Sequence, residues 1–181
     1  GAMGATAKAS IGAMKADAIL TDVGSVKGNV AREFRGLGRS DVHVIPGHPI
    51  AGTEKSGPDA GFASLFEGRW CILTPDANAS PEYAAAIERL AAFWTALGSK
   101  VERMDAQRHD LVLAVTSHLP HLIAYNIVAT AHDMENVTDG EVVKFSAAGF
   151  RDFTRIAASD PTMWRDVFLN NKEAVLEVLG R

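Results

Sequence analysis

The segment from Val44 to Gly57, VIPGHPIAGTEKSG, places one histidine among residues that shape a loop. Prolines and glycines flank His48, and such residues form either slack connectors or stiff edges of active sites. A histidine held by a stiff backbone can accept or donate a proton near neutral pH. An incidental histidine in a surface loop is the alternative, but it does not explain the polar residues from Thr53 onward. The segment is therefore expected to be a shaped loop that presents His48.

A second group lies in TDVGSVKG, residues 21–28, where a short strand is expected to pass into a helix. Asp22, Ser25 and Lys27 would lie at the carboxyl end of that strand, where open α/β sheets hold their ligands. The helix N-terminus that follows favours anions. Ser25 could equally serve only as the N-cap of the helix.

A third group is TSHLPHLIA, residues 116–124. His118 and His121 are three residues apart and would share one face of a helix. Pro120 must begin or kink that helix, because it lacks a backbone N–H. We expect Ser117 and the two histidines to line a polar pocket rather than to bind a metal, because no H-E-x-x-H pattern accompanies them. Histidines that are buried and satisfied by backbone carbonyls are the alternative.

A fourth group is GFRDFTRIAASDPTMWRD, residues 149–166, in which arginines alternate with aspartates. Guanidinium groups bind carboxylates in a bidentate manner, so the pattern favours a clamp for an acidic substrate. Internal Arg–Asp ion pairs are the alternative for some of these residues. The residues concerned are Arg151, Arg155, Arg165, Asp152, Asp160 and Asp166.

Hydrophobic patterns predict the helices and strands that must position these groups, and glycines and prolines mark where they end. They are a strand within Ala18–Gly28, a helix through Asn29–Phe34, a strand ended by Pro46-Gly47, a strand at Arg69–Pro75, a helix begun by Ser80-Pro81, and a strand at 100–104. This alternation is typical of an α/β sheet, whereas the pattern after Asp105 is almost wholly helical. The predicted fold class is therefore α/β followed by all-α.

Composition excludes several classes of function. The 181 residues carry a net charge of −4 with interspersed charges, so no basic stripe for nucleic acid is present. The single cysteine, Cys71, is typical of a protein from a reducing cytoplasm. No uninterrupted apolar run approaches the roughly 18 to 20 residues of a membrane span. We expect a cytoplasmic protein that binds neither nucleic acid nor membrane.

Taken together and in this order, TDVGSVKG, PGHPIAGTEKSG, TSHLPHLIA and GFRDFTRIAASDPTMWRD resemble the prephenate/arogenate (cyclohexadienyl) dehydrogenase family of tyrosine biosynthesis. The resemblance implies that residues 1–104 are the C-terminal portion of a nucleotide-binding Rossmann-type domain. Residues 105–181 would be a helical domain for substrate binding and dimerisation. The chain departs from the family in having no G-x-G-x-x-G, so we expect a partial doubly wound sheet that lacks its Gly-rich first strand and turn.

The resemblance also implies an oxidative decarboxylation of prephenate or arogenate with hydride transfer to NAD or NADP. His48 would assist deprotonation of the ring hydroxyl, and Ser25 would lie between nicotinamide and substrate. Arg155 would bind a substrate carboxylate. The other pocket residues implied are Thr53, Ser117, His118, His121 and Arg151, with Asp22, Val23 and Ser25 at the cofactor.

The same resemblance implies a homodimer. Two other functions stay open at this stage. One is an enzyme like the 3-hydroxyacid dehydrogenases, although those rely on a lysine in their helical domain. The other is a non-catalytic dimerising module that binds an aromatic acid, which the missing Gly-rich fingerprint favours.

Overall fold

A computed structural model describes residues 2–37, 39–52, 57–77, 80–135, 137–138 and 140–181. These residues form two compact units, one reaching to Val112 and the other running from Leu113 to Arg181. The expected α/β and helical parts are both present. Thr53 lies outside the described residues.

The first unit contains two small sheets and the helices that cover them. Its elements are α1 (Met3–Ile11), β1 (Ile19–Leu20), α2 (Lys27–Phe34), β2 (His43–Val44), β3 (Gly47–Pro49), a 3₁₀ turn (Pro58–Ala60), β4 (Trp70–Leu73), α3 (Pro81–Ala96), β5 (Lys100–Arg103) and α4 (Ala106–Leu113). In the described residues β1 pairs with β2 in parallel. The second sheet has the order β3-β4-β5, with β3 antiparallel and β5 parallel to β4.

The segment around His48 is a strand and not the loop expected from its sequence. His48 lies opposite Ile72 in the β3–β4 pair. The backbone N–H of Ile50 donates to Trp70 at 2.7 Å, and that of Thr74 donates to Pro46 at 2.8 Å, which extends the ladder on both sides. A proline is tolerated in β3 because edge strands need not donate on both sides. His48 is therefore held by sheet hydrogen bonds.

The core of the first unit forms between the strands and α3. The buried residues of this cluster are Ile45, Cys71, Leu73, Ala86, Ile87, Leu90 and Trp94. Helix α3 begins as the sequence predicts, with the Ser80 hydroxyl accepting from the backbone N–H of Tyr83 at 3.2 Å and with Pro81 at its first position. Gly98 follows the helix with φ +87°, a conformation that glycine adopts without strain.

The second unit is helical, as expected. Its elements are a π-helical segment (Ala114–His118), α5 (Leu119–Glu135), α6 (Glu141–Lys144), α7 (Ala148–Thr154), a 3₁₀ turn (Arg155–Ala158), α8 (Pro161–Asn170) and α9 (Lys172–Leu179). Asp160 caps α8 and Pro161 begins it.

One helical run, Ala106–Glu135, is long and apolar enough to cross a membrane by length and composition. The sequence predicts helix in this region, and polar residues interrupt its apolar run. Core helices of soluble proteins have the same length and composition, so a single helix of this kind is weak evidence for a membrane span.

A buried ion pair fixes the backbone next to His48. The side chain of Lys27 is fully buried, forms an ion pair with Asp22, and donates to the carbonyl of Gly47 at 2.7 Å. The other oxygen of Asp22 accepts from the N–H of Gly47 at 3.2 Å. Burial lowers the pKa of Lys27, and the neighbouring Asp22 carboxylate opposes that shift. The pair thus joins the end of β1, the start of α2 and the residue that precedes His48.

Replacing Lys27 by Met is expected to destabilise the chain by about 3–5 kcal/mol, because it leaves the carboxylate of Asp22 buried without its cation. The double variant K27M/D22N removes both charges and should recover part of that loss. Urea unfolding followed by circular dichroism measures both effects.

Lys8→Met is the matched control, because Lys8 is exposed on α1. Its effect should stay within about 0.5 kcal/mol, the usual range for surface substitutions. Equal unfolding midpoints for the Lys8 and Lys27 variants would contradict the role given to the buried pair.

Candidate active site

His48 is the first member of a chain of three buried side chains. Its Nδ1 lies 2.9 Å from Nε2 of His109. Nδ1 of His109 lies 2.8 Å from Oδ1 of Asp110. The two imidazole rings meet edge to face, with centroids 5.1 Å apart. Strand β3 and helix α4 thus place a carboxylate and two imidazoles in one hydrogen-bonded line.

Asp110 also caps helix α2. Its Oδ1 accepts from the backbone N–H of Lys27 at 2.7 Å, and its Oδ2 accepts from that of Gly28 at 2.8 Å. The N-cap residue is Val26, which offers no side-chain cap, so Ser25 does not fill the capping role considered from the sequence. A Cβ at Gly28 would lie 2.8 Å from Asp110 Oδ2, so this approach requires glycine. The first two N–H groups of α2 therefore bind an internal carboxylate.

The turn between β1 and α2 offers a surface to a ligand. Val23, three residues after the end of β1, is 63% exposed. Ser25 is half-buried two residues later. The Asp22 carboxylate points inward, where it shapes this turn by accepting from the N–H of Gly24 at 2.9 Å.

In the second unit the polar residues of TSHLPHLIA lie on a π-helical segment and the turn after it. The segment contains Ser117 and His118, and Pro120 follows within the first turn of α5. Proline has no N–H, so regular α-helical hydrogen bonding is interrupted there. Short π-helical segments of this kind are frequent at functional sites.

His118 and His121 both contact Trp164 of α8. Nδ2 of Asn171 lies 2.9 Å from Nδ1 of the buried His118, whose ring packs edge-on against Trp164. The ring of His121 stacks on that of Trp164, with the ring centroids 3.6 Å apart. Nδ1 of His121 donates to the Ser117 carbonyl at 2.8 Å.

Burial and this hydrogen bond both act on the protonation of His121. Burial lowers the pKa of His121, and its hydrogen bond to the Ser117 carbonyl opposes the shift. A neutral His121 ring with its proton on Nδ1 leaves Nε2 as an acceptor. The buried indole N–H of Trp164 has no hydrogen-bond partner among the described residues. The stacked pair therefore combines an acceptor, Nε2 of His121, with a donor, the indole N–H of Trp164.

The arginines of the segment 149–166 are all exposed, and they differ in their contacts. Arg165 pairs with Asp166 at 2.7 Å, as the ion-pair alternative predicts. Asp160 caps α8 through two backbone N–H groups. Arg155 begins the 3₁₀ turn, and both Arg151 and Arg155 are exposed. Nε of Arg151 lies 3.4 Å from the hydroxyl oxygen of Ser146.

Sequence reasoning missed several members of these groups. It assigned no catalytic role to His109 and did not single out Asp110, Trp164 or Asn171. The adjacent His-Asp pair at 109–110 was the available signal, because such a pair can orient a second histidine. Its partner His48 lies 61 residues away, which no local pattern indicates.

Two family models match the chain. The family model described as "Prephenate dehydrogenase, nucleotide-binding domain" matches residues 1–103. The model described as "Prephenate dehydrogenase, dimerization domain" matches residues 105–181.

Individual relatives are similar over nearly the whole chain. A cyclohexadienyl dehydrogenase of Zymomonas mobilis is 44% identical over 178 residues, which cover 98% of this chain and 59% of that protein. A prephenate dehydrogenase of Bacillus subtilis is 39% identical over 159 residues, covering 88% of this chain and 42% of that protein.

A solved structure has the same fold. The prephenate dehydrogenase of Aquifex aeolicus, in complex with hydroxyphenyl propionate and NAD+, superposes with a TM-score of 0.88 and 38% identity, covering 99% of this chain and 60% of that one. The chain thus spans at most about 60% of the length of these relatives. Through both of its units, it belongs to the prephenate dehydrogenase family.

Proposed function

We propose that this chain carries the proton-transfer and substrate-binding residues for oxidative decarboxylation of prephenate or arogenate, a step of tyrosine biosynthesis. In this reaction hydride leaves the ring carbon that bears the hydroxyl, carbon dioxide leaves the opposite carbon, and the ring becomes aromatic. Bound NAD or NADP supplies the hydride acceptor. The observation that carries the proposal is the buried, hydrogen-bonded placement of His48.

His48 takes the proton of the ring hydroxyl as hydride departs. A base is useful only if its ring is fixed, and here the preceding residue, Gly47, is held at both its N–H and its carbonyl. The bond to His109 fixes the ring itself. Ser25 hydrogen-bonds the same hydroxyl from the turn before α2. Positioned bases of this kind contribute about 10²- to 10⁴-fold to rate.

The helical unit binds the acidic groups of the substrate. Arg155 pairs with a carboxylate, and Arg151 adds a second exposed cation. Ser117, His118 and His121 supply hydrogen-bonding groups on the π-helical segment and the turn after it.

The remaining proposed contacts concern the cofactor and Thr53. Val23 and Ser25 contact the nicotinamide, and Asp22 shapes the turn that presents them. The role of Thr53 in substrate binding rests on the family resemblance. Residues 1–104 and 105–181 act as the nucleotide-binding and helical domains, which the family matches to 1–103 and 105–181 support.

We also propose that the helical unit forms a homodimer in the cytoplasm. The family model for residues 105–181 is that of a dimerization domain. Apolar side chains of this unit are exposed to an extent that a second copy could cover, among them Val115, Ile123, Val128, Met134, Leu169, Leu176 and Leu179. A groove of about 550 Å³, lined mainly by apolar residues of α5 and its neighbours, adds to that surface.

Calorimetric titration of the chain with NAD+, prephenate, arogenate and tyrosine tests the proposal. Cofactor binding together with reduction of NAD+ in the presence of prephenate or arogenate would support it. Binding of an aromatic acid without turnover, at any cofactor concentration, would favour the non-catalytic module instead.

His48→Asn is expected to lower kcat by about 10²- to 10⁴-fold with a modest change in KM, because the base is lost while the carboxylate contacts remain. The assay is NADH or NADPH formation with prephenate or arogenate. His132→Asn is the matched control, since His132 is exposed on α5. Wild-type kcat in the His48 variant would remove this residue from the mechanism.

Arg155→Ala is expected to raise KM by about ten- to a hundredfold, since a charge-assisted hydrogen bond contributes about 1.5–3 kcal/mol. Arg165→Ala is its control, because Arg165 is exposed and pairs with Asp166. Steady-state kinetics on both variants separates the two roles. An unchanged KM in the Arg155 variant would assign this arginine to internal contacts.

A further inference from the structure

The hydrogen bonds of the His48–His109–Asp110 chain determine which nitrogen carries each proton. Both oxygens of Asp110 already accept backbone N–H groups, from Lys27 and Gly28. An ionised carboxylate has no proton to donate, so Nδ1 of His109 must be the donor in its 2.8 Å bond to Asp110. A neutral His109 therefore has an unprotonated Nε2.

The contact between His109 and His48 then determines which nitrogen of His48 carries the proton. Nε2 of His109 can only accept, so Nδ1 of His48 donates across the 2.9 Å contact. We infer that His109 and Asp110 are positioning residues that hold neutral His48 as its Nδ1–H tautomer, with Nε2 as its basic atom. The use of that atom in catalysis rests on the function proposed above.

This tautomer matters because an isolated histidine side chain prefers the proton on Nε2. In that form His48 would turn a donor toward the substrate hydroxyl and could not take its proton. In the inferred form the hydroxyl O–H bond breaks, an N–H bond forms at Nε2 of His48, and the ring becomes an imidazolium. The new charge is stabilised through His109 by the Asp110 carboxylate, since an opposite charge favours the protonated ring.

Other charged groups lie near this chain of side chains. Lys27 forms a buried ion pair with Asp22 and also interacts electrostatically with Asp110. Burial raises the pKa of the Cys71 thiol to about 12, with Lys27 opposing, so Cys71 stays uncharged near neutral pH. Within the described residues, hydrogen bonds through His109 link the Asp110 carboxylate to the His48 ring.

The test measures tautomers by nitrogen-15 NMR on the 181-residue chain, labelled at histidine, at a pH where both rings are neutral. His48→Asn and His109→Gln assign the signals. The inference expects Nδ1–H for both His48 and His109 in the wild-type chain. A wild-type His48 that carries its proton on Nε2 would overturn it.

Two variants of His109 distinguish a role in orienting the His48 ring from a role in packing alone. His109→Gln keeps an acceptor for His48 and a donor for Asp110, so His48 should stay Nδ1–H. His109→Leu removes both groups, and His48 should shift to Nε2–H. An unchanged His48 tautomer in a folded Leu variant would overturn the inference, and the wild-type spectrum decides the matter if that variant fails to fold.

If the chain is enzymatically active, steady-state kinetics gives a second measurement. His109→Leu should lower kcat by about 10²-fold or more with little change in KM, and His109→Gln should retain most activity. The NMR result does not need turnover. An inactive chain with Nδ1–H His48 would reject the proposed function and retain the positioning pair.

Discussion

The buried pair of Lys27 and Asp22 is the interaction on which the rest of the first unit depends. Removing two charges from water is costly, and such a pair is kept only if the geometry satisfies both partners. Here the pair also satisfies the N–H and the carbonyl of Gly47, and it links three elements that are short by themselves. Strand β1 has two residues and β3 has three, so neither could fix the position of its side chains by its own ladder. We therefore regard the pair as the scaffold of His48.

The carboxylate of Asp110 is a second group that supports His48, through its hydrogen bonds to α2 and to His109. One carboxylate caps α2, which lacks a side-chain cap of its own, and orients His109. Because the same carboxylate serves both the fold and the inferred proton chain, α4 cannot shift without disturbing the start of α2. Local stability and the orientation of His48 are thereby coupled, which is the condition for a preorganised base.

The helical unit follows a different principle. His118 and His121 are held by ring contacts with Trp164. Arg151 and Arg155 are exposed. In the function proposed above, the histidines contact the substrate ring and the two arginines bind its carboxylates. The neutral state of His121, which its lowered pKa favours, agrees with hydrogen bonding rather than with charge pairing.

The sequence by itself indicated the α/β part followed by helices and the start of α3 at Ser80-Pro81, and it proposed the candidates His48, Ser25 and Arg155, because caps, hydrophobic periods and ordered motifs are local signals. It did not indicate helix α1. It did not determine that Gly47–Pro49 is a strand, since a strand rich in proline and glycine forms only when a partner such as β4 supplies the hydrogen bonds. Tertiary structure alone brought His109 to His48 and Asp110 to α2, across 61 and 83 residues. Contacts of this range depend on the packing of whole elements, and no pattern within one segment encodes them.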